Sequence, residues 1–218
     1  MKGIFLLTAL SVSLQYGYGQ EEQEPLQNNA FIVRVDVMKP LYWAANGGYV
    51  FEPEFSFHHK RLVYTLALGI SRAEQVIYQE LNYSNKGRYL QAGLQLQLFA
   101  NNNSVTNGLF VGGHVGISDY EETGRVVFDG DYFGDYEARL AQDNISATFS
   151  WLASYKAVLG KHLALEAILR ISQVLESFDE PEFPVYYVPG AGITNVFGDR
   201  ETSHRTTGGM SLKIGYKF

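Results

Sequence analysis

An all-β fold is predicted, an eight-stranded antiparallel transmembrane up-and-down β-barrel with short periplasmic turns and long extracellular loops. Three observations predict it. The 218-residue chain contains eight stretches in which apolar and polar residues alternate with period two, the signature of strands with one apolar and one polar face. The connections between them alternate long and short, as outer-membrane barrels require. No stretch carries a charge on its apolar parity in mid-span.

Before the first strand stands a leader. Met1-Lys2 is followed by an apolar run from Gly3 to Leu14 and then Gly17-Tyr18-Gly19. A basic start, a short apolar core and small residues describe a signal peptide over 1–19, cut after Gly19. The run is too short to span a bilayer. Gln20–Asn29 is acidic, polar and carries Pro25, which predicts a flexible tail over 20–29. The barrel is expected over 30–218. There is no cysteine, so neither a lipid-bearing N-terminal cysteine nor a disulfide framework exists. The net charge of −6, one unit more negative once Lys2 is removed, argues against nucleic acid. Aromatics reach 14%, with 15 Tyr, 14 Phe and 22 Gly, the profile of an exported barrel.

The first strand is Ala30–Val37, with Phe31, Val33, Val35 and Val37 on one face. Met38–Gly48 is expected as a loop, on Pro40 and Asn46-Gly47-Gly48. The second strand, Tyr49–His58, is interrupted by Pro53, which cannot donate to a ladder, so a bulge is expected there. A turn at 58–61 leads to the third strand, Leu62–Arg72, and a loop follows over 73–86. The fourth strand is the clearest: in Tyr89–Phe99, Leu90, Ala92, Leu94, Leu96 and Leu98 oppose Gln91, Gly93, Gln95 and Gln97. Its length suits the ~9–11 residues of a tilted membrane strand. A turn at 100–107 leads to Gly108–Ser118, an acidic loop over 119–144, the sixth strand Ile145–Val158 and a turn at 159–162. Leu163–Gln173, a long loop over 174–206 and Thr207–Phe218 complete the set.

Sidedness follows from the polar parity. It carries Arg34, Asp36, Glu52, Glu54, Lys156, Glu166, Arg170 and Lys213, half of them basic and half acidic. A Lys or Arg facing lipid at mid-bilayer costs about 2–4 kcal/mol. The apolar parity is therefore expected to meet lipid, with the charges paired inside as a plug, since unpaired buried charge is expensive.

The terminal stretch Met210–Phe218 ends on an aromatic and resembles the signature of barrels inserted by the outer-membrane assembly machinery, which makes Tyr216 and Phe218 the expected assembly signal. KGRYLQAGL at 86–94, LFVGGHVGIS at 109–118 and YYVPGAG at 186–192 resemble a family of small outer-membrane barrels of Bacteroidetes-type bacteria. The resemblance implies the cell outer membrane as location and a barrel as fold. The resemblance carries no activity, and the expected partners are outer-membrane lipid, the assembly machinery and other outer-membrane proteins.

Chemistry is sparse. His58, His59 and His162 fall in turns and read as solvated. His114 points inward, but Ser118 lies ~13 Å further along the strand, so the two cannot form a nucleophile and base. Asp129, Asp131, Asp135 and Glu137 lack the full spacing of a calcium loop. No cofactor, metal or enzymatic activity is expected. In the segment 180–192, Phe183, Val185, Tyr186, Tyr187 and Val188 lie among three prolines, an apolar loop that either covers the barrel mouth or presents a surface to a partner. The expected role is structural or adaptor-like through the outer loops, within a larger outer-membrane complex. The alternatives are a narrow small-solute pore and a lipid-modifying hydrolase.

Overall fold

The computed structural model describes residues 29–45, 47–74, 83–101, 104–128, 136–177, 187–193 and 205–218. The expected leader at 1–19 and nearly all of the tail lie outside the described residues. The strands are β1 (Asn29–Asp36), β2 (Tyr49–Phe51), β3 (Pro53–His59), β4 (Leu62–Glu74), β5 (Ser84–Ala100), β6 (Gly108–Phe128), β7 (Tyr136–Leu159), β8 (Leu163–Ser177), β9 (Tyr187–Val188), β10 (Gly192–Ile193) and β11 (Arg205–Lys217), with one helix, α1 (Met38–Ala45). Neighbouring strands pair antiparallel, and β1 joins both β3 and β11, which closes the sheet into a barrel. β2 and β3 form one stave broken at Glu52, so the barrel has eight staves. The break falls beside Pro53, as its missing N–H requires.

Alternation sets the two faces. Along β1, Ala30, Ile32, Arg34 and Asp36 are buried while Phe31 and Val35 are exposed, and β5 buries Gln91, Gln95 and Gln97 while Leu90, Leu94, Leu96 and Leu98 face out. A soluble barrel would invert this. An apolar exterior around a polar interior is the arrangement of a transmembrane barrel. No helix among the described residues is long and apolar enough to cross a membrane. The terminal β11 closes against β1: Phe218 N donates to Phe31 O at 3.0 Å. Tyr216 and Phe218 lie on the outer face, with Phe218 beside Phe31 at 5.8 Å between centroids and Tyr216 stacked on His162 at 4.8 Å.

Five sequence expectations are corrected. The Met38–Gly48 stretch is mostly the helix α1. Pro40 falls in its first turn, where no intrahelical N–H is lost, and the Asp36 carboxylate caps it by accepting from Met38 N at 2.9 Å and Lys39 N at 3.0 Å. The 58–61 turn is only Lys60-Arg61, with Lys60 at φ 52°. His58 is not a solvated turn residue. It is buried in the lumen, its Nδ1 3.1 Å from Val105 O and its ring edge-on to Phe110. The 119–144 loop is largely strand, because β6 and β7 pair without interruption from Gly108↔Lys156 to Phe128↔Tyr136. At 21 and 24 residues, they outrun the ~9–11 that a bilayer needs. Finally, Asn29 belongs to β1, paired with His59, rather than to the tail.

The outward charges mark where the apolar belt stops. Lys86 and Arg88 stand opposite Glu121 and Asp119 and pair with them at 2.7 Å and 2.8 Å. Leu90 and Ile117, immediately below, are exposed and apolar.

Candidate functional site

The lumen is organised by Glu52. The parity of its stave turns it inward, where it accepts hydrogen bonds from Tyr89 Oη at 2.5 Å, Lys39 Nζ at 2.5 Å and Lys213 Nζ at 3.0 Å. Lys213 also reaches Glu54 at 2.6 Å. Arg34 lies 2.9 Å from Glu54 and 2.5 Å from Glu166, and Lys156 lies 3.4 Å from Glu166. Register brings these groups together: Arg34 is the cross-strand partner of Glu54, Lys213 of both Asp36 and Glu166, and Lys156 of Glu166. Several contacts are coulombic rather than aligned hydrogen bonds. Arg34 Nη2, Glu54 Oε1, Lys156 Nζ and both Glu166 oxygens have ion partners but no well-directed hydrogen bond. Lys156 adds a cation–π contact, 4.7 Å from the Phe110 centroid.

Of the eight charges singled out in the sequence, Arg34, Glu52, Glu54, Lys156, Glu166 and Lys213 form one connected network. Asp36 joins it through Lys39, at 3.7 Å. Arg170 stands apart: it donates to Ala191 O at 3.1 Å, and no carboxylate is within ion-pair reach among the described residues. Two members escaped sequence reasoning. Lys39 was hidden in an expected loop. Tyr89 shares the inward parity of Gln91 and Gln95, a signal that was present and unused.

The outer mouth is covered by the β9–β10 hairpin. Its backbone carbonyls are held from the wall. Asn85 Nδ2 donates to Tyr187 O at 2.9 Å, Ser118 Oγ to Pro189 O at 2.6 Å and Gln91 Nε2 to Gly190 O at 3.0 Å. Thr207 Oγ1 donates to Ala191 O at 3.0 Å. Gly190 takes φ 82°, and a Cβ there would fall 2.7 Å from the Tyr89 ring, so the turn needs glycine twice over. Tyr187 packs edge-on against the buried Trp43 at 4.8 Å. Tyr187 and Val188 therefore point into the barrel rather than outward, whereas Phe183, Val185 and Tyr186 lie outside the described residues. At the opposite end the turn after β5 tucks under the lumen: Gln97 Nε2 donates to Ser104 O at 2.8 Å and Asn107 O at 2.9 Å, and Thr106 is buried.

Several other polar groups are tied up locally. His114 Nε2 lies 3.1 Å from Thr65 Oγ1, while Ser118 is engaged by Pro189, so the two face different partners. Above the apolar belt, Tyr83 donates to Glu122, and Asn144 Nδ2 and Gln142 Nε2 reach the other Glu122 oxygen at 3.0 Å and 2.9 Å. Burial first, and the Glu122 charge second, push the Tyr83 hydroxyl well above its ordinary value, so it stays a donor. Among the described residues no three His, Asp or Glu side chains gather as a metal site; Asp129, Asp131, Asp135 and His204 lie outside them.

Comparison with known proteins places the chain as follows. No curated protein matches it. Among solved structures, the N-terminal β-barrel domain of Pseudomonas aeruginosa OprF is similar, at 10% identity and a TM-score of 0.39, covering 88% of this chain and 98% of that one. Residues 9–216 match a family profile described as a domain of unknown function, DUF6048, and the chain belongs to that family.

Proposed function

We propose that this protein is a non-conducting barrel of the cell outer membrane, with a structural or adaptor role carried by its outer end. The observation that carries the reading is the Glu52 network. It ties β1, β3, β5 and β11 to the helix across the lumen, while the β9–β10 hairpin lies over one mouth and residues 104–107 over the other. Eight strands enclose a space that side chains can fill, and the ion pairs and aromatic rings that cross it support this reading. The β6–β7 hairpin, which rises past the charged row at Arg88 and Asp119, is the surface offered beyond the bilayer.

The test is electrical. Purified protein in planar bilayers is expected to give no unit conductance. Steady single-channel steps in the wild type that change with Glu166→Ala would replace this reading with a small-solute pore.

A further inference from the structure

One section of the wall is not closed by strands. β1 pairs with β11 from Ile32↔Lys217 to Asp36↔Lys213, and a last bond runs from Val37 N to Leu212 O at 2.9 Å. Beyond it, among the described residues, β11 continues to Arg205 with β8 as its sole strand partner, and β2 on the other side has β4 as its sole strand partner. The helix α1 occupies the wedge. It is held by the Asp36 cap, the Lys39–Glu52 bridge and Trp43 against Tyr187.

Behind α1 lies a cavity of about 370 Å³. Its walls include Trp43, Tyr89, Tyr187 and Met210, and two cations, Lys39 and Arg170, reach it. The cavity extends to the lipid face, because Met210, which shares the outward parity of Leu212 and Ile214, is 63% exposed while also lining it. Gly208 and Gly209 form part of the same wall, and a Cβ on either would meet nothing within 4 Å. Consecutive glycines in a strand interior weaken it and commonly mark close approach by another molecule.

Charge selects the occupant. With the buried Glu122 counted, the inward cations Arg34, Lys39, Lys156, Arg170 and Lys213 are balanced by Asp36, Glu52, Glu54, Glu122 and Glu166 among the described residues, so the case for an anion is local to Arg170. Lys39 is matched by Glu52. Arg170 donates to the Ala191 carbonyl, and no carboxylate lies within ion-pair distance of it among the described residues, Glu52 acting on it only through space, which leaves further guanidinium donors to serve. A free inorganic anion would satisfy Arg170 but leave the aromatic walls and the opening to lipid unused. At ~30 Å³ for each water-sized group, the cavity holds roughly a dozen heavy atoms. We propose that it binds a single-chain anionic amphiphile of medium length, a fatty acid, with its carboxylate on Arg170 and its chain along Trp43 and Met210, entering sideways from the bilayer between α1 and β11. This site goes beyond the non-conducting barrel reading and does not depend on the conductance result.

Trp43 provides the readout. The chain has two tryptophans, and Trp151 lies on the lipid face, so Trp151→Phe leaves Trp43 alone. Full-length protein in phosphatidylcholine nanodiscs is titrated with 11-bromoundecanoic acid, whose bromine quenches at short range. Saturable quenching is expected, with half-saturation shifted about tenfold or more by Arg170→Gln, the scale of one charge-assisted hydrogen bond. Gly209→Leu, on the inward parity and free of clashes at its Cβ, is expected to fill the cavity and abolish saturation while the barrel keeps its heat-modifiable gel migration. That variant decides the matter if Arg170→Gln does not fold. Equal, non-saturating quenching by the acid and its methyl ester, or an unchanged curve in Gly209→Leu, overturns the proposal.

Discussion

Tyr89 stands directly opposite Gly69 across the β4–β5 ladder and extends over it, and its hydroxyl then reaches Glu52 at 2.5 Å. A Cβ on Gly69 would fall 2.0 Å from the ring. The missing side chain therefore makes room for the tyrosine, and the tyrosine helps to fix the carboxylate at the centre of the lumen. Gly69→Ala is expected to push the ring aside and destabilise the barrel by about 1–3 kcal/mol, the usual cost of overpacking. Tyr89→Phe, which keeps the ring and loses the hydroxyl, is expected to cost about 1.5–3 kcal/mol. Urea unfolding in lipid vesicles measures both, and a neutral Gly69→Ala would refute the packing argument.

Glu52 is the more expensive residue to lose. Glu52→Gln leaves Lys39 without its closest carboxylate and Lys213 with only Glu54. Breaking a buried pair from one side typically costs about 3–5 kcal/mol. The double variant Glu52→Leu with Lys39→Met is expected to recover part of that loss, and a double-mutant cycle reads the coupling.

The two faces of one strand make opposite predictions at adjacent positions. Leu94 faces lipid, and Leu94→Arg is expected to cost about 2–4 kcal/mol. Gln95 is buried in the lumen with both amide atoms unpaired. Gln95→Leu removes that unsatisfied group at similar volume and is expected to be neutral or stabilising. If Leu94→Arg were harmless in vesicles, the assignment of the faces would be wrong.

Tyr83 makes the outer hairpin sensitive to alkali. Its hydroxyl is held above its ordinary value of about 10 by burial and by Glu122. A group whose pKa rises on folding contributes stability that is complete below the unfolded value and declines as pH rises past it. Hydrogen exchange in the β6–β7 extension is therefore expected to gain protection loss above about pH 10 in the wild type. Tyr83→Phe should flatten that dependence after correction for intrinsic exchange.

The staves were legible because alternation survives burial: a lumen filled with charge and a wall facing lipid both write period two into the chain. The strand from Tyr89 to Phe99 needed nothing else. What the sequence hid depended on distant partners. Pro40 reads as a breaker until Asp36 is seen capping the helix that contains it. His58-His59-Lys60-Arg61 reads as one polar turn, yet parity sends His58 into the lumen and His59 out. Asp119 to Asn144 reads as a loop because its outward charges break the apolar alternation above the bilayer, although the backbone ladder continues unbroken. The six connected lumen charges could be named from parity alone; that Arg170 would be left over could not, since it depends on which carboxylates the register delivers to which cations.

A ring of strands must be joined somewhere, and here the joint is short. The edge of β1 meets β11 only between Ile32 and Asp36, with single bonds from Val37 and Phe218 at either end, whereas β6 and β7 are laced along their whole length. The β1–β11 joint is the shortest stave-to-stave ladder among the described residues. The helix and the joint share one carboxylate, because Glu52 accepts from Lys39 of the helix and from Lys213 of β11, so the short stitch and the wedge that fills the gap beside it are tied to a single anchor.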